Sequence, residues 1–152
     1  MSAAVAAGRP ADELRLEGAY ERIWRERMAD LPFLNGQLRV EALGFRDWQG
    51  VRVGALVTPW SINLVLLPAP GATLPLPRPG APQSWTFPSG AYSFEGREEA
   101  TLGGFQQCSL FSPALEFASH DAAVAVARAA LEALFAAPSP AQLSRRGLLL
   151  GG

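Results

Sequence analysis

Residues 51–68 read VRVGALVTPWSINLVLLP, and the rest of the chain is organised around this stretch. Two short runs rich in Val, Leu and Ile flank the segment TPWS at 58–61, and such runs are typical of strands. Because Pro59 has no backbone N–H to donate to a ladder, we expect it in the turn. The stretch therefore predicts a β-hairpin whose arms build the core. Its tip presents Trp60, where burial within the domain is hard to arrange.

Composition predicts one soluble globular domain of 152 residues, which is long enough to bury a sizeable core. The net charge is −1 and no basic stripe is present, which argues against nucleic-acid binding. One Cys and one His cannot form an internal disulfide or a structural zinc site. No apolar stretch is long enough to span a membrane and the N-terminus lacks a signal-peptide pattern, so we expect a cytoplasmic protein.

Two amphipathic segments predict helices towards the two ends of the chain. The first runs from Pro10 to Leu31 and is stopped by Pro32. The second is capped by Ser119 and carries its apolar face to Phe135. Between them, alternating and apolar runs predict about five strands that begin as an antiparallel meander. The expected fold class is α+β, an antiparallel sheet of about five strands flanked by an N-terminal and a C-terminal helix.

Proline and glycine set the organisation outside these elements. Residues 68–82 hold six of the 13 prolines, so this segment is either a surface excursion between strands or a loop that forms part of a binding face. Residues 85–94 carry four aromatic residues around a Pro-Ser-Gly sequence, which fits a kinked strand or a short hairpin. We expect a disordered N-terminus at 1–9, a single domain at 10–140 and a flexible Arg-Arg/Leu-containing tail at 141–152.

Cys108 and His120 are the only conventional catalytic pair in the sequence, since a thiolate beside an imidazole would suffice for nucleophilic catalysis. No phosphate-binding glycine motif and no acidic metal cluster accompanies them. Cys108 also falls at the end of an apolar strand, where a buried inert thiol is common. A small thiol enzyme is therefore the alternative hypothesis. The leading one is the binding of a polypeptide through exposed aromatic residues, Pro-rich backbone and a docking tail.

Five motifs in a fixed order carry a resemblance to a known family. They are TPW at 58–60, NLVLLP at 63–68, FPSGAY at 87–92, CSLFSP at 108–113 and RRGLL at 145–149. The sequence LPFLN at 31–35 and the turn from Gly44-Phe45 to Trp48-Gln49-Gly50 fit as well. Over roughly residues 20–151, the chain resembles the [NiFe]-hydrogenase assembly chaperones of the HybE type.

This resemblance implies a maturation chaperone that is not an enzyme and holds no cofactor. Such chaperones attend hydrogenase precursors in the cytoplasm and are thought to delay twin-arginine export until the metal centres are in place. The implied partners are the large-subunit precursor, the small-subunit precursor that bears a twin-arginine signal, or both, without nucleic-acid binding or membrane insertion. Some members carry a fused rubredoxin domain, which a chain with one cysteine does not support.

The candidate partner-binding residues lie at the hairpin tip, after the last strand and in the tail. They are Thr58, Pro59, Trp60, Ser112, Pro113, Arg145, Arg146 and Leu148. Trp60 is the expected anchor for the client. The sequence SRRGLL at 144–149 looks like a twin-arginine motif. It is either a solvated tail or clamp, or a partner-binding element that imitates the partner's signal.

Overall fold

The computed structural model describes residues 9–78 and 81–137. Helix α1 (Ala11–Ile23) continues into a π-helical stretch at Trp24–Met28, and helix α2 (His120–Phe135) follows the sheet. The six strands are β1 (Glu41–Trp48), β2 (Val51–Thr58), β3 (Ser61–Pro68), β4 (Gln83–Phe87), β5 (Gly90–Glu99) and β6 (Gly103–Phe111). The expected α+β class is confirmed, with one strand more than predicted. The predicted tail at 141–152 and the expected disorder of residues 1–8 lie outside the described residues.

The strand order in the sheet is β1-β2-β3-β6-β5-β4, and every neighbouring pair is antiparallel. The first three strands form the predicted meander. The additional strand arises because residues 85–94 belong to a hairpin, in which Trp85 pairs with Tyr92. The polar segment after Phe94 is not a turn but continues as strand β5 to Glu99. After β3 the chain thus crosses to the far edge, and β6 returns beside β3.

The two helices cover opposite faces of this sheet. Leu56 of β2 packs with Leu16 of α1, whereas its strand neighbour Ala55 packs in the cluster that contains Ala127 of α2. Because successive strand residues point to opposite faces, the two apolar clusters lie on opposite sides of the sheet. The predicted cap of α2 is confirmed, since the Ser119 hydroxyl accepts a hydrogen bond from the backbone N–H of Ala122. Neither helix in the described ranges is long and apolar enough to cross a bilayer.

Helix α1 is shorter than its apolar stripe predicts. Regular α-helical geometry ends at Ile23 rather than at Leu31, and the next turn is π-helical. Leu16 and Tyr20 are buried against the sheet, but Ile23 and Met28 are only half-buried. The second half of the stripe therefore borders an open part of the sheet face instead of sealing it, in keeping with the occurrence of π-bulges at functional sites.

The outer edge of β1 is capped by carboxylates from α1. Glu13 Oε2 accepts the backbone N–H of Phe45 (3.0 Å), and Glu17 Oε2 accepts that of Ala42 (2.8 Å). Arg9 joins the group by bonding Glu17 and the carbonyl of Ala42, so this residue of the expected disordered terminus is fixed in the structure. These contacts cover an edge that would otherwise be free to pair with another strand.

The Pro-rich segment is a long connection that packs on the α2 side of the sheet. Leu74 is buried in the core, and the Pro75 carbonyl accepts a hydrogen bond from Gln106 Nε2 at 2.9 Å. Leu76 lies over Gly104, where an added Cβ would meet its side chain at 3.2 Å. The segment is thus a surface excursion that is anchored to the sheet at several points. A role in binding stays a prediction.

Candidate functional site

Asn35 joins two of the motif segments and the chain that follows a third, at the end of the sheet where β2 turns into β3. Its backbone N–H donates to the Pro59 carbonyl (2.7 Å), and its side-chain Nδ2 donates to the carbonyls of Ala114 and Phe117 (both 2.9 Å). Its side-chain oxygen accepts from the backbone N–H of Gln37. Through its backbone N–H and its side-chain amide, Asn35 thus holds LPFLN, TPW and the segment after CSLFSP together, and we call this end the Asn35 pole.

Thr58 and Pro59 lie inside the Asn35 pole rather than on its surface. Thr58 is fully buried, and its hydroxyl oxygen accepts the backbone N–H groups of Trp60 (3.2 Å) and Ser61 (2.9 Å). Pro59 is also buried, and its carbonyl is occupied by Asn35. The two residues shape the turn and orient Trp60, so a direct contact of their side chains with a partner is not what the geometry favours.

Trp60 is half-buried, which corrects the expectation that the hairpin tip leaves it without packing. Its indole stacks on Tyr20 of α1, with ring centroids 6.2 Å apart and an angle of 20° between the planes. The expectation was wrong because α1 ends beside the tip and supplies the second aromatic ring. Ser112 and Pro113 are exposed. Arg145, Arg146 and Leu148 lie outside the described residues.

An open cleft of about 460 Å³ brings Trp60 and Ser112 together. We call it the Trp60 cleft. One wall comes from α1 and the π-helical stretch, the floor from β3 and β6, and the opposite wall from β5. The lining residues are Tyr20, Ile23, Arg27, Met28, Trp60, Ser61, Asn63, Glu95, Arg97, Glu98, Glu99, Gln107, Ser109 and Ser112.

The cleft lies where α1 stops covering the sheet. On the face of β3 that points towards α1, Val65 and Leu67 are packed in the α1-side core, whereas Ser61 and Asn63 line the cleft. The strand therefore changes from apolar to polar along one face at the end of the helix. Ser61 and Asn63 inside an otherwise apolar run were the sequence signal for this site. We did not predict Asn63, Tyr20 or Gln107 as site residues.

A hydrogen-bond network orders the floor of the Trp60 cleft. Gln107 Oε1 accepts from the hydroxyl of Tyr20 (3.1 Å) and from Asn63 Nδ2 (3.3 Å). Asn63 Nδ2 also donates to the Ser61 hydroxyl oxygen at 3.3 Å. Burial raises the pKa of Tyr20 to about 12, so its phenol keeps its proton and remains a donor at physiological pH. The floor is therefore polar, neutral and held in one arrangement.

Glu99 fixes the open end of α1 to the β5–β6 turn. Its Oε2 binds Arg22 of α1 at 2.8 Å, while its Oε1 accepts the backbone N–H groups of Thr101 and Leu102. Burial alone would raise the pKa of Glu99, but the hydrogen bonds from Thr101 and Arg22 outweigh it and lower that pKa to about 2. The carboxylate is thus ionised and occupied by structural contacts at physiological pH.

The geometry does not favour the alternative of a Cys108–His120 dyad. His120 Nδ1 accepts the backbone N–H of Arg39 (3.2 Å), and its Nε2 lies 2.8 Å from Glu41 Oε1. Both ring nitrogens are thus engaged by other groups. Cys108 packs against the α2-side core, and burial together with the charge of Glu95 raises the pKa of its thiol. Each of these features makes a thiolate nucleophile less available.

We expect the Cys108 thiol to titrate above the ordinary cysteine value of about 8.5, because burial disfavours the charged thiolate. Alkylation by iodoacetamide should therefore be slow at pH 7 and should accelerate only as the pH rises past that value. The same titration in guanidinium chloride, where the thiol is exposed, is the control. A midpoint below pH 8 in the folded protein would instead support the thiol enzyme.

The comparisons with known proteins agree with the motifs. The family described as "[NiFe]-hydrogenase assembly, chaperone, HybE" matches residues 11–151. The chain belongs to the HybE family. Within the described residues, no group of three or more His, Cys, Asp or Glu side chains is placed to hold a metal ion.

Two curated relatives and one solved structure illustrate what this HybE-family chain is similar to. It is 42% identical over 132 residues to "Hydrogenase expression/formation protein HupJ" of Bradyrhizobium diazoefficiens, covering 86% of this chain and 76% of that protein. It is 38% identical over 126 residues to "Probable rubredoxin HupJ" of Rhodobacter capsulatus, covering 83% of this chain but only 45% of the relative. The solution structure of HybE from Escherichia coli is similar, with a TM-score of 0.66, 25% identity and coverage of 83% and 78%.

Proposed function

We propose that this HybE-family protein binds hydrogenase precursor subunits in the cytoplasm and delays their twin-arginine export until the metal centres are assembled. The partners are the large-subunit precursor, the small-subunit precursor with its twin-arginine signal, or both. The protein acts by binding and not as an enzyme. Family membership supports the link to hydrogenase assembly, and the form of the Asn35 pole supports binding of a polypeptide.

The observation that carries the proposal is the combination of exposed apolar groups and a polar cleft at the Asn35 pole. Phe33 is 41% exposed and Leu115 is 54% exposed, and each lies close in sequence to a residue of the Asn35 network. Ser112 and Trp60 line the adjoining cleft. Apolar anchors beside groups that form hydrogen bonds are typical of protein-binding surfaces.

Trp60→Ala is expected to reduce co-purification of hydrogenase precursors at least tenfold. The change removes the aromatic wall of the cleft while leaving the Thr58 hydrogen bonds of the turn in place. The measurement is affinity purification of the tagged protein from cells that make the hydrogenase, with precursor quantified by immunoblot.

Trp85→Ala is the matched control for this change. Trp85 is also half-buried, but it lies in β4, and its indole N–H donates to Gln106 Oε1 on the other face of the sheet. Both substitutions should cost roughly 1–3 kcal/mol of unfolding free energy, so a general loss of stability affects both variants. Equal precursor retention by the two variants would show that Trp60 serves the fold rather than the client.

Release on maturation distinguishes a chaperone from a permanent component of the complex. We expect the tagged protein to retain precursors in cells that cannot insert the metal centres and to lose them once insertion is complete. Retention of the mature subunit at the same level would instead indicate a structural adaptor. The contribution of Arg145, Arg146 and Leu148 stays a prediction, to be tested by deleting residues 144–152 in the same purification.

A further inference from the structure

We propose that the Trp60 cleft binds an extended segment of the client through hydrogen bonds to its backbone. Gln107 Nε2 donates to a peptide carbonyl, and Asn63 Oδ1 accepts from a peptide N–H. This inference rests on the proposed function, because it states how the same site holds the client. It concerns the form of the bound segment rather than the identity of the subunit. The argument comes from two neighbouring carboxamides on the cleft floor.

The hydrogen-bond network decides which amide atoms face the cleft. Gln107 Oε1 accepts from both Tyr20 and Asn63. The Gln107 carboxamide is therefore oriented with its Nε2 pointing away from these two residues. Asn63 Nδ2 donates to Gln107 Oε1 and to the Ser61 hydroxyl oxygen, so the remaining polar atom of this side chain is Oδ1. Neither Gln107 Nε2 nor Asn63 Oδ1 has a hydrogen-bond partner within the described part of the chain. The floor thus presents one donor and one acceptor side by side.

The presence of one donor and one acceptor at the cleft floor does not depend on how the two side-chain amides are oriented. Reversing both carboxamides would exchange the roles of Asn63 and Gln107, and the Tyr20 hydroxyl can donate or accept to suit either arrangement. One donor and one acceptor would still face the cleft. The complementarity therefore follows from the contact between the two amides.

The two groups are placed to meet a ligand. Asn63 is 4% exposed and Gln107 is half-buried, yet both line the cleft. Among the described residues, Trp24 Nε1 is the one side-chain nitrogen or oxygen that is sealed from solvent without a partner. The free amide atoms of the cleft therefore still contact water. A ligand that displaces this water must offer an acceptor and a donor in return, or it leaves buried polar groups unpaired.

An extended polypeptide supplies this combination in every residue, since each non-proline peptide unit carries one N–H and one C=O. A helical segment does not, because its backbone groups bond each other along the helix. Asn63 of β3 and Gln107 of β6 lie on adjacent antiparallel strands, so the pair forms a short strip across the floor. The Tyr20–Trp60 stack borders this strip and offers a surface for a neighbouring side chain of the segment.

The test uses the full-length protein and overlapping 12-residue peptides that cover the small- and large-subunit precursors, with affinity measured by fluorescence anisotropy. Gln107→Glu keeps Oε1 as an acceptor for Tyr20 and Asn63 but replaces the donor that faces the cleft with an oxygen. We expect at least tenfold weaker binding of the best peptide, with a melting temperature close to wild type.

Gln83→Glu is the matched control. Gln83 Oε1 accepts from Gln106 Nε2, so the same substitution keeps an existing acceptor and adds the same charge at a site that does not line the cleft. Its peptide affinity should equal that of the wild type. Equal losses in the two variants would mean that added negative charge, and not the missing donor, weakens binding, and would overturn the inference.

N-methylation of the peptide, one residue at a time, tests backbone recognition directly. We expect one position at which the methyl group weakens binding by tenfold or more, and we expect Asn63→Leu to reduce that penalty to below threefold. The inference would be overturned if N-methylation changed the affinity equally at every position of the peptide. It would also be overturned if no peptide bound while intact precursor still co-purified. The proposed function survives both of those outcomes, whereas it fails if the wild-type protein retains no precursor at all.

Discussion

Asn35→Ala should lower the free energy of unfolding by about 3 kcal/mol and the melting temperature by roughly 10 °C. The change removes the donor to the carbonyls of Ala114 and Phe117 and the acceptor for the backbone N–H of Gln37. Asn35 is 8% exposed and Ala114 is fully buried, so water cannot readily replace these bonds. The measurement is urea unfolding of the variant and the wild type, followed by far-ultraviolet circular dichroism.

The same variant should retain little hydrogenase precursor, even at temperatures where it is folded. Without Asn35, the segment from Ser112 to Leu115 is no longer tied to the hairpin turn, and the Asn35 pole loses its fixed form. Gln37→Ala is the control, because this exposed amide lies two residues away and its substitution should change stability by less than about 0.5 kcal/mol. A loss below 1 kcal/mol for Asn35→Ala would show that the pole is held by other contacts.

Gly54→Ala should destabilise the protein by about 3 kcal/mol, because the centre of β2 has no room for a side chain. A Cβ at this position would fall within the ring of Phe45. Phe45 lies on the neighbouring strand β1 and is buried against α1. The Phe45 ring cannot swing away easily, since it is buried and packed in the α1-side core. Denaturant unfolding of the variant checks the expected loss.

Two further variants test that cause. Gly36→Ala introduces the same methyl group where no other atom lies within 4 Å, so it should be neutral within about 0.5 kcal/mol. Phe45→Leu removes the aromatic ring that a Cβ at position 54 would meet. The double variant Gly54→Ala/Phe45→Leu should therefore lose less unfolding free energy than the sum of the two single losses. Strict additivity of the two single changes would show that the cost of Gly54→Ala comes from elsewhere.

The elements that could be predicted from sequence are those whose signal is local. The hairpin at 51–68, the cap at Ser119 and the apolar face of α2 depend on periodicity and on residues within one or two turns, and the structure confirms all three. The length of α1 could not be predicted in this way. Its stripe continues past Ile23, but burial ends where the helix passes beyond the covered part of the sheet.

The candidate site was predicted only in part. Trp60 and Ser112 were chosen from separate motifs, and the structure brings both into one cleft. Thr58 and Pro59 came from the same motif but lie inside the turn. Asn35 was noted only as part of the motif LPFLN, because its bonds to Ala114 and Phe117 join segments far apart in sequence.

The sequence by itself determined the strand-forming and helix-forming segments, the α+β class and the order of motifs that marks the HybE family. Only the tertiary structure decided that β6 lies beside β3, that Tyr20 stacks on Trp60 and that Asn63 meets Gln107. The physical reason is that a local pattern specifies which face of an element is apolar. Which faces meet is set by pairing between distant strands, and the polar cleft exists because α1 ends before it covers all of the sheet that this pairing assembles.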